Sequence, residues 1–170
     1  EKFSQKIRKE DAEIIAADKD IAELYEKVSK KVDAVLAAKW IRRELARVLN
    51  YSKKELSESK IKEKQLIDLL KLIEAKKITD NVAQKILERL VDKEFDVNEY
   101  VKKEGLEAVS DADEIEKHCK DAIKNNPKAV EDYNAGNQKS FNFLVGQVMR
   151  ATKGKATPKE VNEMLKRLIK

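Results

Sequence analysis

The sequence predicts an all-α protein: a multi-helix domain followed by a small three-to-four-helix C-terminal tail domain. Three observations predict it. Apolar residues recur at helical spacing along the chain. Four glycines and two prolines in 170 residues leave few turn formers. Charged residues make up 41% of the chain, enough to clothe many solvated helix faces, while an apolar share also of 41% is too high for disorder. The length suits one ordinary domain or two small ones.

Taken in order, Ile21, Leu24, Tyr25 and Val28 form the first clear stripe, and a longer helix from about Val32 to Leu49 carries Leu36, Trp40, Leu45 and Leu49. Ser52 with Glu55 has the form of a capping box. Leu66, Leu69, Leu70 and Ile73 make the next stripe. Thr79 stands where it can cap a helix through Val82, Ile86, Leu87, Leu90 and Val91. Gly105 ends a helix, Ser110 caps one beginning near Asp113, and Asn126 precedes one opened by Pro127. Gly136 marks another end, and Thr157 with Glu160 repeats the capping box with Pro158 at the first helical position. This gives about nine helices and no strand. The weakest join, Gly105 to Asp113, divides a helical domain (18–109) from a tail domain (110–170), and residues 1–17 precede them.

Composition excludes several functions. The longest uncharged run, Ser140 to Met149, is ten residues, too short for a membrane helix of about 20 residues. Nine aromatic residues are too few and too scattered for a single-strand stacking platform. One cysteine, Cys119, forms no internal disulfide, and with no signal-peptide pattern at the start the expected location is the cytoplasm. His118 and Cys119 are adjacent, so they point about 100° apart on a helix and do not share a metal. Asp111/Asp113 and Glu114/Glu116 sit at a helix start, where carboxylates answer the positive dipole end. No catalytic residue, metal site or cofactor site is expected in this chain.

Charge is uneven. Residues 137–170 hold eight bases against two acids, net +6, while the remaining 136 residues come to −1. Arg150, Lys153, Lys155 and Lys159 flank Gly154 at a helix-to-helix junction, where the amides opening the helix at Thr157 add to them. Cations beside a helix N-terminus suit phosphate, but the same cations also suit a helix C-terminus, and charge alone leaves both readings open. In the preceding run, Phe141, Leu144, Val145, Val148 and Met149 form a core face. Gly146 within it costs about 1 kcal/mol relative to alanine and marks a close approach of backbones, with a neighbouring helix expected before RNA.

The run Phe143-Leu144-Val145-Gly146-Gln147-Val148-Met149-Arg150, preceded by Tyr133 and Gly136 and followed by Thr152-Lys153-Gly154-Lys155-Ala156 and Pro158, resembles the C-terminal signature of the amidotransferase B-subunit (GatB) family. Asp11-Ala12, Ala22 to Glu26, Trp40, Ile78 to Val91 and Gly105 to Ile115 extend the resemblance more loosely. Asn137, Asn142 and Lys39 stand where the family has Lys, Gly and Asn, so Lys139 inherits no role by position.

The resemblance implies a parent enzyme that amidates Glu-tRNA(Gln) or Asp-tRNA(Asn), a carbon–nitrogen ligase using ATP and Mg²⁺ in an upstream cradle and working with A and C subunits. This chain would be its tRNA-holding part, with Lys139, Gln147, Arg150, Lys153, Gly154, Lys155, Lys159 and Asn162 as candidate contacts. The alternative is a YqeY-like scaffold that docks a protein and binds no tRNA.

Overall fold

A computed structural model describes residues 7–108 and 112–169. Among these residues every regular element is helical, and the chain divides into two compact units, Glu1–Gly105 and Leu106–Lys170. Ser110 and Asp111 lie outside the described residues.

The first unit opens with α1 (Lys9–Ala16) and α2 (Lys19–Val28), the latter capped by Asp18, which accepts the Ile21 N–H at 3.1 Å. Asp33 caps α3 (Ala34–Lys39) in the same way through Leu36, and Glu74 reaches across to accept the Asp33 N–H. The expected long helix is present, but its middle turns, Trp40–Leu45, are a π-helical segment before α4 (Ala46–Ser52). Trp40, Ile41 and Leu45 are all buried there. Arg42 Nε lies 2.9 Å from the Asp11 carboxylate but off the hydrogen-bond line, so this is an ionic contact between α1 and the π segment.

Ser52 does not open a helix. It is the last residue of α4, and its hydroxyl donates back to the Leu49 carbonyl at 3.0 Å. The reciprocal bond falls three residues later, where Glu58 accepts the Glu55 N–H at the start of a short 3-10 turn, Leu56–Glu58. Lys53 explains the difference, because its φ of 53° ends α4 in the left-handed conformation that glycine usually supplies.

Next come α5 (Glu63–Glu74), α6 (Asp80–Leu90) and α7 (Val97–Lys103). Thr79 caps α6 as expected, accepting from Val82 at 3.2 Å. Buried Gln65 accepts the Lys62 N–H and donates to the Phe95 carbonyl, tying the start of α5 to the α6–α7 connection. The fully buried set of this unit includes Ile15, Tyr25, Trp40, Leu66, Leu69, Leu70, Ile86, Leu87 and Leu90, so each expected stripe faces one core.

The second unit is four helices: α8 (Ala112–Asn125), α9 (Pro127–Asn134), α10 (Gln138–Ala151) and α11 (Pro158–Leu168). Their shared core is Ile115, Cys119, Ala122, Phe141, Leu144, Val148, Ala156, Val161 and Leu165. Pro127 opens α9, but the Asn126 side chain turns back and donates to Ala122 at the end of α8 instead of capping α9. Gly136, with φ of 98°, ends α9. Glu116 of α8 binds Lys120 at 2.7 Å and Arg167 of α11 at 2.6 Å, and these partners hold its carboxyl below the usual range, Lys120 foremost. Burial, with Glu116 nearby, pushes the Cys119 thiol up to about 11, so Cys119 is a neutral core residue.

Candidate nucleic-acid interface

The basic end of the chain forms around α10 and the turn after it. Phe141, Leu144 and Val148 are buried, while Val145 and Met149 are half-buried beside them. That inward face leaves Lys139, Asn142, Phe143, Gly146 and Arg150 exposed on the other side. At about 100° per residue, Lys139, Gly146 and Arg150 fall within some 40° of one another, with Gln147 about 80° round from Lys139. Gln147 is half-buried. No acidic residue occurs anywhere in α10.

The turn is built on backbone bonds. Lys153 takes φ of 54° and Gly154 φ of 80°. The Gly154 N–H donates to the Met149 carbonyl at 2.8 Å and the Lys153 N–H to Arg150 at 3.0 Å, the paired bonds of a Schellman helix end. Lysine, not glycine, occupies its left-handed position. Buried Thr152 donates its hydroxyl to the Val148 carbonyl at 3.0 Å, and Ala156 is fully buried, so both sides of the turn are fastened to the core. Gly154 is buried between exposed Lys153 and half-buried Lys155. Its part is to shape the turn.

Two expectations change here. The N-terminus of α11 is not an open anion site: Thr157 accepts the Glu160 N–H while the Glu160 carboxylate accepts the Thr157 N–H at 3.0 Å and the Thr157 hydroxyl at 2.6 Å. The capping box is the expected one, and it places a carboxylate where a phosphate would sit. Gly146, in turn, packs against nothing among the described residues of its own unit. A Cβ built on it would meet no heavy atom within 4 Å outside its own helix.

The cations divide into two groups. Arg167 is paired with Glu116, and Lys166 lies over the Phe141 ring, 5.9 Å from its centroid. Among the described residues, Lys139, Arg150, Lys155 and Lys159 have no carboxylate within 4.0 Å. The structure therefore puts Lys139, Gln147 and Arg150 on one helix, Lys153, Gly154 and Lys155 in its terminal turn, and Lys159 and Asn162 one turn apart on α11. Lys159 is exposed and Asn162 half-buried. Phe143, 48% exposed next to Gly146, was not among the candidates named from sequence. The signal for it was present, since Phe143 lies about 40° round the helix from Lys139 and about 140° from buried Val148.

Among the described residues there is no group of three or more His, Cys, Asp or Glu placed to hold a metal, and no helix is long and apolar enough to cross a membrane.

The comparisons with known proteins agree with this organisation. The B subunit of the aspartyl/glutamyl-tRNA(Asn/Gln) amidotransferase of Methanocaldococcus jannaschii is 44% identical over 168 residues, covering 94% of this chain and 35% of that protein. The B subunits of the same name from Methanococcus aeolicus and Methanothermobacter thermautotrophicus are 41% and 40% identical, each match covering 96% of this chain and 36% of the relative. The chain thus spans about a third of the length of these relatives, in their C-terminal part. A family model described as the GatB domain matches residues 6–169. With a match over nearly its whole length, the chain belongs to the GatB domain family.

Proposed function

We propose that this chain is the tRNA-holding C-terminal part of the B subunit of a glutamine-dependent aminoacyl-tRNA amidotransferase. In this reading it positions Asp-tRNA(Asn) or Glu-tRNA(Gln) while an upstream domain, using ATP and Mg²⁺, carries out the amidation alongside the A and C subunits. The chain contributes no catalytic group of its own. The observation that carries the proposal is the acid-free outer face of α10, whose Lys139 and Arg150 have no carboxylate within 4.0 Å among the described residues and which runs into a firmly anchored basic turn. Such a surface attracts a polyanion through counterion release, and RNA helices are held largely through phosphate, shape and 2′-hydroxyl contacts. The names of the relatives supply tRNA as the polyanion.

The test is a gel shift with bulk tRNA at a series of salt concentrations. With about four phosphates engaged, log affinity should fall with log salt at a slope of about −3.6. Lys153→Ala combined with Lys155→Ala should reduce that slope by about two and weaken binding, with helicity by circular dichroism unchanged. Equal retention of the double variant and the unaltered chain at low salt would remove these residues from the contact.

A second reading, a helical scaffold that docks a protein, draws on Ile14, Val35 and Tyr51, which are 52%, 60% and 90% exposed on the first unit. Titration with the A subunit in the absence of tRNA discriminates it.

A further inference from the structure

The outer face of α10 has a gap at its centre. Lys139 and Arg150 stand about 16 Å apart along the helix axis on nearly the same line, and Gly146 lies between them with no side chain. Glycine inside an exposed helical turn works against the helix, because it lowers helix propensity and leaves backbone bare to water. Among the described residues of its own unit nothing makes use of the space, since a Cβ at this position would touch no heavy atom there within 4 Å beyond the backbone of its own helix. The two other glycines with an open Cβ position, Gly105 and Gly136, have positive φ and so are explained by their turns. Gly146 lies inside a regular helix and has no such explanation.

The surroundings indicate what the gap receives. Its ends are cationic, its sides are Asn142 and Gln147, and the half-exposed ring of Phe143 forms one shoulder. A cationic pair around a bare stretch of helix suits a chain of phosphates and sugars brought in to backbone contact, with the ring against a ribose.

We infer that Gly146 is the point of closest approach between this protein and RNA, where the sugar–phosphate backbone crosses α10 between Lys139 and Arg150. The inference rests on the tRNA-binding reading and deepens it. Cations attract at a distance and tolerate water, whereas this contact is steric and selects a partner whose backbone can lie directly on the helix.

The experiment uses Gly146→Ala and Gly146→Gln in the full 170-residue chain. Both replacements favour helix over glycine and leave the charge unchanged. Both should therefore raise the melting temperature by a few degrees. Affinity for bulk tRNA should move the other way, falling slightly for Ala and by about tenfold or more for Gln, at an unchanged salt slope. Higher stability together with weaker binding is a combination that a packing role does not produce.

Unchanged affinity in both variants overturns the inference, and so does a fall in melting temperature, which would make Gly146 a packing residue after all. The lysine double variant separates the two levels of the proposal. If it weakens binding while Gly146→Gln does not, tRNA binding stands and the close-approach role falls. If the unaltered chain does not shift tRNA even at low salt, both fall.

Discussion

The two units differ in where their cations meet carboxylates. In the first, several cations bridge separate elements through carboxylates: Arg47 reaches Glu88 as well as Glu44, Lys54 reaches Asp92, and Lys64 reaches both Asp68 and Asp96, while others such as Arg43, Lys71 and Lys77 enter no ion pair among the described residues. Several of these pairs join helices distant in sequence, as Arg47 and Glu88 join α4 to α6. In the second, Arg167 and Lys120 pair with Glu116 in the same way, but along α10 and the turn after it Lys139, Arg150, Lys155 and Lys159 have no carboxylate within 4.0 Å among the described residues. Net charge alone conceals this contrast. A cation counted in a composition is available to a polyanion only if no carboxylate of its own fold already holds it.

The largest test of the contrast concerns the cores. Phe141 is 2% exposed at the centre of the second unit, and Phe141→Ala should cost about 3–5 kcal/mol there. Trp40, the only tryptophan, is buried in the first unit. If the units are separately stable, urea denaturation of the variant should show an early loss of helicity while the Trp40 fluorescence transition stays in place. A joint shift would mean that the units unfold together.

Binding comes next. Lys54→Ala removes a cation from the first unit as surely as Lys153→Ala with Lys155→Ala removes two from the second. Only the latter pair should alter the salt slope for tRNA, by about 0.9 per lost phosphate contact. An equal effect per cation at Lys54 would erase the distinction.

Three helix ends supply a smaller test. Lys53, Lys76 and Lys153 all adopt positive φ with the same pair of backbone bonds, a conformation that costs a residue bearing a Cβ about 1–2 kcal/mol. Lys76→Gly should stabilise the first unit by about 1 kcal/mol without affecting tRNA. Lys153→Gly should also stabilise its unit, yet weaken tRNA retention. Thermal melts and the gel shift read the two effects separately.

The smallest effect is electrostatic. Lys120 and Arg167 hold the Glu116 carboxyl below its ordinary range. Its contribution is thus present above the unfolded-state pKa and is lost as pH falls through the lower folded-state value. Glu116→Gln should flatten the acid limb of the second unit's stability between neutral pH and about pH 3, measured by melts across that range.

Much of the fold was legible because side-chain chemistry determined it locally. Thr157, Pro158 and Glu160 announce a helix start, and the stripe through Val82, Ile86, Leu87 and Leu90 announces the buried face that follows Thr79. Two features were hidden for physical reasons. The π segment at Trp40–Leu45 is a shift of hydrogen-bond register within a helix, and its residues have the same apolar spacing as an ordinary turn. The end of α4 was hidden because lysine stands where glycine would have marked it, which made Ser52 look like a beginning.

At the candidate interface the sequence showed the basic residues but not which of them the fold leaves without carboxylates. Glu160, read only as a cap, also closes the helix end that had looked open to phosphate. Gly146 was legible in principle: it lies opposite the buried line of Phe141, Leu144 and Val148. Reading it from the apolar run it belongs to, and not from the face it occupies, pointed to packing on a neighbouring helix, which nothing among the described residues of its unit supplies.

The anchoring of the basic turn by Thr152 and Ala156 has a thermodynamic consequence. A loop that must be ordered by its partner gives up part of the gross interaction energy to loss of disorder and shows a large negative heat-capacity change. Here the segment is stapled to the hydrophobic centre on both sides within the chain itself, with no partner needed to order it. Association should then behave as the meeting of two preformed surfaces, governed by encounter rate and ionic strength, with little heat-capacity change to mark it.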